Sequence, residues 1–170
     1  MKYAMAIFNT LFGGGMSSRL FQKIREENGL TYSIYSYTSA FADTGIFTIC
    51  ASMNPNQVEK VFSLIAEEIS AVKAEAFPEK LIAVTKEQMI SNFIIGTEST
   101  LNRMTSAGAS LLLKGKVEAT EEVIAKIEAV TPEAVLEAAR KVLDLSKMSY
   151  SAIGNISGMD FKALAKKYFK

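Results

Sequence analysis

Not one of the 170 residues of this chain is a histidine. That absence removes the ordinary general base with a pKa near 7 and the commonest zinc ligand. Ser-His-Asp, Cys-His and histidine-based metal catalysis are therefore excluded within this chain, while carboxylate and lysine chemistry stays open. There is one cysteine, Cys50, inside an apolar run, so no disulfide framework forms within one chain. Its setting predicts a small core residue rather than a nucleophile. No apolar run approaches the ~20 residues of a membrane span. Neither sign of charge dominates: 19 basic against 18 acidic residues give a formal net charge of +1. That balance supplies no electrostatic case for nucleic acid. Internal repeats, low-complexity segments and long linkers are also missing.

What is present suits one globular domain spanning 1–170, with 49% hydrophobic and 22% charged residues and length enough to bury a core. The opening MKYAMAIFNTLFGGGMSS loosely mimics a signal peptide, but Asn9 and Thr10 break its apolar stretch. Tyr3, Ile7 and Leu11 recur at helical spacing, which predicts a buried amphipathic helix over Tyr3–Phe12 and a cytoplasmic protein.

Gly13, Gly14 and Gly15 end that helix, and Ser17 or Ser18 is placed to cap a second one reaching Glu27. Its apolar stripe is Leu20, Phe21 and Ile24, and Asn28-Gly29 stops it, Gly29 suiting a left-handed position. The period then changes. Leu30–Ala40 and Thr44–Met53, with Ala42-Asp43 between them, predict a β-hairpin. Phe47, Ile49, Ala51 and Met53 share one face of the second strand; Ile46, Thr48, Cys50 and Ser52 share the other. Neither is strongly polar, so cover is expected on both.

Asn54-Pro55 opens a helix to Ala74, Pro78 another ending before Gly96, and Ser99 a third to Leu113. Further helices follow Thr120 and run from Thr131-Pro132 to Leu143. Met148–Ile153 reads as a strand and Asp160–Phe169 as a closing helix. Segregated helices and antiparallel strands define an α+β layer. Three strands make a thin sheet for so much helix.

Two candidate sites stand out. The glycines fail as a phosphate loop, because Met16-Ser17-Ser18 follows them in place of a lysine and a hydroxyl residue, and a helix precedes them. The dinucleotide fingerprint fails on the same topology. A sharp helix-to-helix corner needing unusual backbone angles is the better reading. The second site is Arg25 with Tyr32. Arg25 lies in the last turn of its helix, and Gly29 lets the chain reverse so that Tyr32 returns toward it. Guanidinium and phenol could both donate to one oxygen, as a carbonyl becoming an oxyanion requires. Spacing alone leaves open a surface arginine covering a tyrosine ring. Glu26 and Glu27 project apart and form no dyad. Glu67-Glu68, Glu118, Glu121 and Glu122 read as solvated faces, the methionines as core filler, and Lys166, Lys167 and Lys170 as a helix end.

The run LFGGGMSSRLFQKIREENGLTYSIYS, followed by ADTGIFTICAS, resembles the C-terminal half of pitrilysin/insulinase-type zinc peptidases, or inverzincins. These include mitochondrial processing peptidase and its small bacterial homologues. The likeness continues through Leu101–Met104 and IEAVTPEAVLEAARKVL to SYSAIGN, so it covers nearly the whole chain. It implies two similar α+β halves closing around a peptide, the other half carrying His-x-x-Glu-His, the zinc and the general base. It implies that Arg25 and Tyr32 hold the substrate backbone. The expected function is therefore the non-zinc, substrate-gripping half of a metalloendopeptidase, inactive alone. A non-catalytic binding or scaffold subunit is the alternative. The chain begins inside what resembles the first helix of that half, without the strand before it. A piece of a longer peptidase is thus expected, with zinc and a zinc-bearing partner half supplied from outside. Self-association through an exposed sheet edge is expected too.

Overall fold

A computed structural model describes residues 1–41 and 43–169. Helix α1 (Lys2–Gly13) is the central element, burying Ala4, Ile7, Phe8, Leu11 and Phe12. It packs against the helices later in the chain at Pro132–Val142 and Glu79–Glu98 and against the strand Ser33–Ala40. The Phe8 and Phe12 rings stack with centroids 5.2 Å apart, and Phe47 and Phe77 close around Phe8 at 5.5 and 6.4 Å. The signal-like opening is thus a core helix.

Strands β1 (Ser33–Ala40) and β2 (Gly45–Ser52) form an antiparallel pair in which Ile34 faces Ala51, Ser36 faces Ile49 and Thr38 faces Phe47. The Phe41 amide donates to the Thr44 carbonyl at 2.9 Å and closes the hairpin. Ala42, placed in the turn by the sequence, lies outside the described residues, as does Lys170. The face carrying Ile34, Phe47, Ile49 and Ala51 packs on the core. The opposite face does not: Tyr35, Tyr37 and Ile46 are exposed. Cys50, half-buried opposite Tyr35 on that face, is therefore a sheet-surface residue and not a core one.

Helices α2 (Val58–Ala74), α3 (Glu79–Glu98), α4 (Thr100–Lys114), α5 (Thr120–Glu128), α6 (Pro132–Val142) and α7 (Phe161–Tyr168) follow the sequence signals closely. Ser99, Thr131 and Asp160 accept capping hydrogen bonds from Asn102, Ala134 and Ala163. Asn54 makes no such bond, and Pro55–Gln57 is a 3-10 turn leading into α2. Gly96 does not end α3, which continues to Glu98; an added Cβ would meet open space there, so that glycine costs helix stability without forcing a break.

Two expectations fail for clear reasons. Met148–Ile153 has no regular structure and joins no ladder, and among the described residues the sheet has two strands. A strand exists only through a paired neighbour. Here neither sheet edge reaches this segment, and Ile153 is 99% exposed. Methionine as core filler holds for Met5, Met53 and Met89, which pack on the core, but not for Met16 and Met104, which are exposed.

Candidate functional site

The corner after α1 places the site. The Gly13 Cα lies so close to β1 that an added Cβ would stand 2.7 Å from the Ser36 amide nitrogen. Ser36 is buried there and donates to the Asn9 side-chain oxygen at 2.9 Å. Neither Gly14 (φ −85°) nor Gly15 has positive φ. No positive φ therefore marks this corner; Gly13 permits a close helix–strand approach, and an added Cβ at Gly14 would stand 2.7 Å from the Thr10 Cα. Ser18 does not cap the next helix either. Its hydroxyl turns back to donate to the Gly15 carbonyl at 2.6 Å, fixing the corner from inside.

The chain then enters a π-helix, Phe21–Glu26, anchored by the fully buried Leu20 just before it and Ile24 within it. The Gly29 amide donates to the Arg25 carbonyl at 2.9 Å and Leu30 to Ile24 at 3.1 Å, with Gly29 at φ +60°. This left-handed cap turns the chain by the route its sequence implies. Tyr32 then joins the sheet margin, its amide donating to the Ser52 carbonyl at 2.9 Å.

The structure brings Arg25 and Tyr32 together. The guanidinium carbon lies 5.8 Å from the Tyr32 ring centre and 4.8 Å from that of Phe21. Tyr32 is 83% exposed, so its hydroxyl is open to any approaching molecule. A groove of about 390 Å³ runs beside it, lined by Thr31, Ser52, Asn54 and Gln57. The Thr31 hydroxyl is buried there without a hydrogen-bond partner. Ring-covering and donor roles need not compete: a guanidinium lying on ring faces keeps its in-plane N–H groups free.

Some acidic residues read as solvated are not. Glu68 is 8% exposed and accepts from Arg19 Nε at 2.6 Å. The clue was its position on the apolar stripe of α2, four residues from both Leu64 and Val72. Glu118 binds both Lys114 and Lys126, and these two hydrogen bonds hold its carboxyl down at about 2. Lys167 is more than a helix end, since it reaches Glu59 at 2.7 Å and ties α7 to α2. Among the described residues no group of three or more Cys, Asp or Glu converges as a metal site, and the chain holds no histidine. The residues present do not fit zinc.

An α+β layer whose helix cap sets an arginine beside a tyrosine is the arrangement that the sequence resemblance implies for the non-zinc half of a peptidase. Residues 2–89, just over half the chain, match the family described as "Peptidase M16 inactive domain". The chain belongs to that family. It is 40% identical over 153 residues to an uncharacterized zinc protease of Streptomyces coelicolor, covering 90% of this chain and 33% of that protein. With the Bacillus subtilis zinc protease YmxG identity is 36% over 156 residues, or 91% of this chain and 38% of the relative. The chain thus spans about a third of the length of these curated relatives. Among solved structures, a conserved protein of Enterococcus faecalis is 27% identical with a TM-score of 0.71, over 82% of this chain and 32% of that one. The M16 inactive domain of Pseudomonas fluorescens shares the fold at 23% identity and a TM-score of 0.74, over 82% and 34% of the two chains.

Proposed function

We propose that this chain is the substrate-holding half of a zinc metalloendopeptidase and works with a zinc-bearing half that it does not contain. Arg25 and Tyr32 grip the peptide backbone. The observation that carries the reading is their convergence on one exposed spot, on a chain whose relatives are called zinc proteases. Guanidinium N–H groups and a phenol O–H can both donate to the carbonyl oxygen of an extended peptide. Donors of this kind favour the charge that develops there during attack. Zinc chemistry would belong wholly to the other half, and the cytoplasm is the compartment we assign.

The test mixes the chain with its zinc-bearing half and follows cleavage of an extended peptide. Arg25→Ala and Tyr32→Phe are each expected to lower the rate roughly tenfold to a thousandfold, as for single oxyanion donors. Tyr32→Phe is the sharper variant because it keeps the ring and removes only the hydroxyl. Unchanged rates in both would leave a binding or scaffold subunit as the better account.

A further inference from the structure

The sequence places Phe21 in an apolar stripe with Leu20 and Ile24, yet the three residues part company in the fold. Leu20 and Ile24 are fully buried, whereas Phe21 is only half-buried. Its ring is turned to the Arg25 guanidinium, whose carbon lies 4.8 Å from the ring centre. Tyr32 lies at 5.8 Å, so two aromatic rings attend one cation, both within the ~6 Å reach of cation–π attraction.

The backbone here is also unusual. The segment Phe21–Glu26 is π-helical, with the Glu27 amide donating to the Gln22 carbonyl at 2.9 Å, five residues back. Such turns are rare and widen the helix at the place where Phe21 and Arg25 meet. Glu26 forms a long, exposed salt bridge with Arg25 at 3.9 Å from its Nε, beyond hydrogen-bond reach. The guanidinium thus lies against two rings and in a long ion pair, and among the described residues none of its N–H groups is spent on a hydrogen bond.

We infer that Phe21 is a positioning residue: its ring holds the Arg25 guanidinium on the π-turn so that the free N–H groups face the substrate beside Tyr32. The inference rests on the substrate-holding role proposed above.

Two measurements test it. In NMR of the chain alone, ring currents from Phe21 should shift the Arg25 side-chain protons upfield, and Phe21→Leu should remove much of that shift while Phe21→Tyr keeps it. Arg25 resonances unmoved by Phe21→Leu would overturn the placement. In the chain assembled with its zinc-bearing half, Phe21→Leu should lower kcat/KM about two- to fivefold, the size of an exposed cation–π contact. Phe21→Tyr should restore it. In an Arg25→Ala background, Phe21→Leu should cost nothing further, because the two act as one unit. Equal losses in both backgrounds would show a merely structural ring and sink the inference, as would no loss at all beside a damaged Arg25→Ala. An Arg25→Ala rate equal to wild type would instead overturn the substrate-holding reading, with the ring-current result still deciding where Phe21 holds Arg25.

Discussion

A single methyl group separates tolerance from damage at the corner after α1. An added Cβ at Gly13 presses on the Ser36 backbone, which cannot move without disturbing β1. Gly13→Ala is therefore expected to destabilise the fold by about 1–3 kcal/mol, the usual cost of overpacking. Gly15 has open space around its Cα and no positive φ, so Gly15→Ala should be neutral or stabilising by up to about 1 kcal/mol. Denaturant titration of both variants checks this, and equal losses would refute it. Gly29 stands apart, because its φ of +60° costs a side chain roughly 1–2 kcal/mol. Gly29→Ala should lower stability by about that amount and loosen the cap that brings Tyr32 back to Arg25. The sequence shows three adjacent glycines with equal emphasis. The approach of β1 requires glycine at position 13 and the Thr10 backbone crowds position 14, while Gly15 is unconstrained; the contact of Gly13 with β1 leaves no local mark in the sequence.

Among the elements, helices were legible because each carries its own signal: Thr131-Pro132 and Ser99 are caps that act within one turn. The hairpin was legible for the same reason, and with it the return of Tyr32 toward Arg25. The strand expected at Met148–Ile153 was not, because its β-like composition says nothing about a neighbour to pair with. The ion pairs were equally hidden. Glu118 joins the end of α4 to α5 through Lys114 and Lys126, a contact between segments that look independently solvated. Its carboxyl is held down at about 2 against an ordinary 4.5, so its contribution to stability is full above pH 4.5. As pH falls from about 4.5 toward 2 the carboxylate protonates and that contribution is lost. Glu118→Gln should therefore lower Tm at neutral pH and leave it nearly equal to wild type near pH 2. Melting curves across that range give the answer, and a Tm gap independent of pH would show that Glu118 acts by packing alone.

Over the whole molecule, many large apolar side chains lie in water. Tyr35, Tyr37 and Ile46 lie open on the uncovered sheet face, and Leu101, Met104, Leu111, Leu112 and Leu113 of α4 are each more than half exposed. None of the residues of α4 is buried. The hairpin also offers unpaired backbone groups along its free edges. Monomers rarely leave contiguous apolar patches of more than a few hundred Å² in water, and unpaired edges recruit further strands. With about a third of its relatives' length, the chain on its own should therefore associate as its concentration rises. Light scattering should show dimers or larger species, and Leu101→Glu with Leu112→Glu should reduce them without lowering Tm, since neither side chain contributes to the core. Adding the zinc-bearing half should have the same effect if it covers these surfaces. A strictly monomeric profile at high concentration would mean that the exposed α4 and sheet face are stable in water as they stand, and that no covering half is needed to explain them.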